Sequence, residues 1–158
     1  MGSNLLSETR INRILLPTDG SESAARAANA AIEVAKKFGA ELIVLHVIAV
    51  PAAGMAKAKL SPGYDVELQE YFESARKKAD SIVDEVTRSA EAKDVRATHL
   101  IREYSFSVVE TILEQATKSN VDLIVIGTRG LTGFKKLLVG SVSSGVVSHA
   151  HCSVLLVR

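Results

Sequence analysis

Apolar residues fall along this chain in two alternating rhythms. Short unbroken runs appear at Ile11–Pro17 (INRILLP), Glu41–Val50 (containing LIVLHVIAV), Asp122–Gly127 (DLIVIG) and Ser153–Arg158 (SVLLVR), with a weaker run at Val95–Arg102 (VRATHLIR). Such runs suit strands, and a continuous one suits a parallel strand covered on both faces. Between them, apolar positions recur at helical spacing. Ser21–Phe38 sets Ala24, Ala28, Ala31, Ile32 and Ala35 on one face, and Gly39 follows as a natural stop. Tyr64–Ala92 does the same with Leu68, Phe72, Ala75, Ala79, Ile82, Val83 and Val86. A third helix carries Val108, Val109, Ile112, Leu113 and Ala116, with Ser105 as its expected cap. Ser141–Ala150 reads as a short fourth helix.

Strand and helix therefore alternate from end to end, which specifies an α/β fold with a parallel sheet and right-handed crossovers. No internal repeat or low-complexity tract interrupts the pattern. Val50–Gly63 (VPAAGMAKAKLSPG) is a long connection rich in small residues, and Met55, Lys57 and Lys59 within it read best as surface loop. Residues 1–10 read as a tail outside the fold, disordered or tag-derived, with no secretory signal pattern. Residues 11–158 are expected to form one domain.

Composition narrows the classes of partner. The 158 residues carry 19 basic and 18 acidic side chains, a net charge of +1, so no global excess draws the chain to nucleic acid or an anionic membrane. Aromatics make up 4% with no Trp, which speaks against a base-stacking surface. No apolar run reaches the ~18 residues of a membrane span. The single Cys152 excludes an intramolecular disulfide and points to a reducing, cytoplasmic setting.

Ligands of open α/β sheets bind beyond the carboxyl ends of the strands, where strand order reverses. Three segments should meet there: Pro17-Thr18-Asp19-Gly20-Ser21, His46-Val47-Ile48, and the loop after the fourth strand. That loop reads GTRGLTGFKKLLVGSVSSG. Gly127, Gly130 and Gly140 let the backbone approach an anion, and Gly140-Ser141 opens a helix whose N-terminus favours negative charge. Ser141, Ser143 and Ser144 add hydroxyls, and Leu137–Val139 suggests a short turn. Together these describe a polyphosphate cradle; the alternative is a surface loop with turn glycines and a capped helix. Arg129 either contacts phosphate or is solvated beside it, and Lys135 and Lys136 read as an exposed basic rim. Neither the Walker A pattern nor the dinucleotide Gly-x-Gly-x-x-Gly fingerprint is present. His46 reads as a packed strand histidine. His149, His151 and Cys152 span a helix end and a strand start without a fourth ligand, so no metal site is expected.

These segments resemble the universal stress protein family, specifically its ATP-binding branch. The resemblance covers Asn12 to Arg158 and rests on RILLPTDGSESA, LIVLHVI, DLIVIGTRG and LLVGSVSSGVVSHAHCSVLLVR. The family hallmark Gly-x2-Gly-x9-Gly-Ser/Thr is met by Gly127, Gly130, Gly140 and Ser141. The resemblance implies a five-stranded parallel sheet in the order 3-2-1-4-5, Rossmann-like, with helices on both faces. It implies a homodimer through the last strand, Ser153–Arg158, where Cys152 would pack.

The resemblance also implies an adenine nucleotide (ATP, ADP or AMP) lying over Pro17, Thr18 and Asp19, with Mg2+ or Mn2+ held mainly by the phosphates. Val47 would read the adenine edge through its backbone. Asp19 would sit near ribose and phosphates, and Gly127, Arg129, Gly130, Gly140, Ser141, Val142 and Ser143 would line the phosphate end. The function so implied is a nucleotide-dependent stress or signalling module. A slow ATPase or phosphotransferase is the enzymatic alternative, although no residue stands out as a base for an attacking water. A nucleotide-independent dimerisation module is the other.

Overall fold

The computed structural model describes residues 10–51, 64–130 and 140–158. Five strands and four helices follow in chain order: β1 (Arg13–Pro17), α1 (Glu22–Phe38), β2 (Glu41–Ala49), α2 (Tyr64–Glu91), β3 (Ala97–Ser105), α3 (Val108–Lys118), β4 (Leu123–Gly127), α4 (Ser141–His149) and β5 (Ser153–Val157). The strands are parallel and ordered β3-β2-β1-β4-β5, as expected. Residues 1–9 of the tail, Met55, Lys57 and Lys59 of the long connection, Lys135, Lys136 and the Leu137–Val139 turn lie outside the described residues.

Handedness decides which face each helix covers. From β1 the chain steps outward to β2 and β3, then crosses back to β4 and β5. Right-handed crossovers in opposite directions put helices on opposite faces. On one face α1 and α2 bury Ala27, Ala28, Ala31, Ile32 and Val83 against Ile14, Leu16, Leu42 and Val44. On the other, α3 and α4 bury Ile112, Ala116 and Val146 against Leu15, Ile43, Leu45, Ile124 and Ile126. Alternate residues of one strand thus serve two cores, which is why β1 and β2 read as unbroken apolar runs.

Helix α1 shows how local chemistry sets the element ends. Ser21 Oγ accepts the Ala24 N–H at 3.1 Å, and Glu22 lies in the first turn. At the far end Gly39 adopts φ 65°, and the Ala40 N–H returns to the Ala35 carbonyl at 2.9 Å. Its alanine face lets the helix lie close to the sheet.

Two expectations need correction. The cap of α3 is Ser107, whose Oγ accepts the Glu110 N–H at 3.3 Å, and not Ser105. Ser105 instead ends β3, which runs three residues past the expected Arg102 because Ala49 of β2 remains available to pair with it. Its buried hydroxyl meets Thr111 Oγ1 at 2.8 Å. The extra length contains a register irregularity between Val47 and Ala49, and Tyr104 at φ 58°.

Candidate functional site

The site begins where two central strands part. β1 pairs with β2 through all five residues, Arg13 to Pro17. With β4 it pairs only at Ile14 and Leu15. Beyond Leu15 the ends of β1 and β4 diverge, and a cleft of about 230 Å³ opens between them. At ~30 Å³ per water, that is room for a small organic molecule and not merely an ion.

The residues that the resemblance assigns to the nucleotide all line this cleft: Pro17, Thr18, Asp19, Val47, Gly127, Arg129, Gly130, Gly140, Ser141, Val142 and Ser143; Ser144, whose hydroxyl the sequence also offered, does not. Sequence reasoning missed Ala24, Leu45, Val108, Ile112 and Ile126, which supply much of the apolar floor. Their only sequence signal is apolar periodicity, which also serves the core. The cleft is therefore chemically divided, with aliphatic side chains on one side and glycine backbone and hydroxyls on the other.

Hydrogen bonds fix the polar half. Asp19 Oδ1 accepts the Ser21 N–H at 2.9 Å, closing a turn at the start of α1. The Arg129 N–H donates to Ser23 Oγ at 3.3 Å, while the Arg129 side chain is exposed. Gly127 abuts Ser23 so closely that a Cβ there would meet the Ser23 carbonyl oxygen at 2.7 Å. Only glycine allows that approach. The Ser143 hydroxyl donates to the Gly127 carbonyl at 2.6 Å, so this side chain braces the loop. The Gly140 N–H is likewise engaged, donating to the Thr128 carbonyl at 2.6 Å, and the Thr128 N–H donates to Val157 at 2.9 Å.

The first turn of α4 is different. Its N-cap is Gly140, which provides no side-chain hydrogen bond. The helix ladder starts with the Ser144 N–H donating to the Gly140 carbonyl at 2.9 Å. The Ser141, Val142 and Ser143 amides precede that first bond at a helix end facing the cleft, and such an end favours an anion. This is what a phosphate requires. The aliphatic floor is what a purine face requires.

His46 lies on the opposite face of β2 from Leu45 and Val47, near Thr18 and Asp19 and outside the cleft. Burial holds its pKa below the usual histidine value, against the opposing influence of the Thr18 carbonyl and Asp19. Its Nδ1 is buried without a hydrogen-bond partner among the described residues. Burial, and then Asp122, push the Cys152 thiol up, consistent with a packed and unreactive side chain. Among the described residues no cluster of three His, Cys, Asp or Glu could hold a metal ion, and no helix is long and apolar enough to cross a membrane.

The universal stress protein family model matches residues 10–158. Universal stress protein MJ0531 of Methanocaldococcus jannaschii is 33% identical over 152 residues, covering 96% of this chain and 84% of that protein. Universal stress protein UspA from Lactobacillus plantarum superposes with a TM-score of 0.83 at 27% identity, covering 94% of this chain and 99% of that one. A family protein from Arabidopsis thaliana with AMP bound shares the fold at TM-score 0.64 and 19% identity, covering 92% of this chain and 90% of its own. Two others of the fold were solved with cAMP and with dAMP, at 23% and 17% identity. The sheet order, the divided cleft and a match spanning nearly every residue converge on one conclusion: this chain belongs to the universal stress protein family.

Proposed function

We propose that the cleft binds an adenine nucleotide, ATP or its hydrolysis products, and that the protein works as a nucleotide-dependent stress-response module in the cytoplasm. The observation that carries this is the first turn of α4, with no side-chain cap and facing a cleft with an aliphatic floor. The adenine ring lies against Val47, Val108, Ile112 and Ile126, and the Val47 backbone reads its edge. The phosphates lie along Gly130 and the Ser141–Ser143 amides, with Arg129 at the rim. The cAMP, dAMP and AMP held by proteins of this fold support the choice of base.

Asp19 is the carboxylate lining the cleft among the described residues. A divalent cation is held mainly by the phosphates, with Asp19 as its protein neighbour. We further read β5 as the homodimer strand, since it is a sheet edge on which Leu155 is 38% exposed. Residues 11–158 act as one domain.

Mass spectrometry of small molecules released from the denatured protein tests the nucleotide, and calorimetry with ATP and Mg2+ tests the affinity. Release of an adenine nucleotide, or saturable binding below millimolar, supports the reading. No release, together with no binding at millimolar ATP, overturns it.

A further inference from the structure

The chain has only seven aromatic side chains, four Phe and three Tyr. Three of them, Tyr71, Phe72 and Tyr104, cluster at one corner, on the sheet edge away from β5, and Phe106 follows two residues after Tyr104. Phe72 is buried, with its ring 4.0 Å from that of Tyr104 and 5.2 Å from that of Tyr71. The other three face outward: Tyr71 is 42%, Tyr104 55% and Phe106 77% exposed.

Two observations distinguish this corner from ordinary surface. Tyr104 sits at φ 58°, a backbone region that a bulky side chain enters only under strain. The fold thus tolerates strain to hold a tyrosine ring against Phe72 at the surface, where glycine or asparagine would be comfortable. Carboxylates also frame the rings. Glu67 lies one helical turn before Tyr71 on the same face, and Glu70 immediately precedes it; both are exposed. Arg76 on the same helix is held by Glu103 at 2.6 Å and Asp80 at 3.2 Å, which leaves Glu67 and Glu70 as the carboxylates beside the rings. An acidic frame repels nucleic acid and anionic lipid. It attracts Lys or Arg, whose aliphatic stems lie over aromatic rings while their heads reach carboxylates.

We propose that the corner formed by Tyr71, Tyr104 and Phe106, with Glu67 and Glu70 beside it, docks a partner-protein segment that alternates basic and apolar side chains. The surface is separate from the nucleotide cleft and makes the fold a platform as well as a receptor.

The protein offers its own reporter, since it lacks Trp and two of its three tyrosines belong to the corner. The full chain is titrated with a short aromatic-free peptide alternating lysine and leucine, and tyrosine fluorescence is followed. A saturable change is expected, weakened about tenfold by Phe106→Ser and made less salt-sensitive by Glu67→Gln with Glu70→Gln. The glutamate–leucine counterpart should leave the signal unmoved. Tyr104→Asn, which suits the positive φ, should weaken binding while keeping the fold. Equal responses to both peptides, or a response indifferent to Phe106→Ser, overturn the proposal. So does self-association without peptide that Phe106→Ser abolishes, which would assign the corner to a second copy.

Discussion

A Cβ placed on Gly130 would come within 2.8 Å of Oδ2 of Asp19. Loop and turn, more than a hundred residues apart in the chain, meet at the mouth of the cleft. The neighbour is the end of a side chain, so an added methyl can be absorbed by swinging the carboxylate aside. Gly130→Ala should therefore lower the stability by no more than the lost Asp19–Ser21 turn bond, about 1 kcal/mol. It should lower adenine-nucleotide affinity by about tenfold, near 1.4 kcal/mol, because Asp19 is displaced at the phosphate end. Calorimetry beside a thermal melt checks both parts.

Gly127→Ala should behave in the opposite way. Its Cβ would meet Ser23 Oγ at 2.6 Å and the Ser23 carbonyl oxygen at 2.7 Å, and the backbone of α1 cannot swing aside. Overpacking of this kind costs about 1–3 kcal/mol. The loss should appear in urea unfolding of the ligand-free protein.

Ser143→Ala separates a brace from a ligand contact. The hydroxyl donates to the Gly127 carbonyl at 2.6 Å in a buried setting. Removing it strands an acceptor and should cost roughly 1–3 kcal/mol without any nucleotide present. A hydroxyl that served only a ligand would leave the ligand-free stability untouched.

Acidification should weaken the fold through His46. Its folded pKa lies below the reference 6.5, chiefly from burial, so the unfolded chain takes up the proton first. More protons bound in the unfolded state means stability rises with pH. The contribution is intact above about pH 6.5 and declines as pH falls below it toward the folded pKa. His46→Gln should flatten that part of the stability profile, as measured by urea midpoints across the acid range.

Much of this architecture can be read from residue order. The alanine face of α1, the glycine after Phe38 and the unbroken runs of β1, β2 and β4 are local signals, and local chemistry realises them. Other features depend on partners distant in sequence. Ser105 and Ser107 are equally good caps by composition, and pairing of Ser105 with Ala49 decides between them. The glycines were legible because backbone approach to an anion requires them. The aliphatic floor was not, because Val108, Ile112 and Ile126 look like any other core residues. The bond from Ser143 to Gly127 also lay beyond the motif, which gives residue type but not the direction of a hydroxyl.

Thr128 joins two neighbours through one peptide unit's length of chain: its N–H reaches Val157 at the end of β5, and its carbonyl receives Gly140 at the start of α4. The sheet edge and the anion-facing helix turn are thus linked in series, like two pulleys on one cord. The end of β5 and the start of α4 therefore take their positions from a single residue, and a backbone shift at Thr128 would be felt at both.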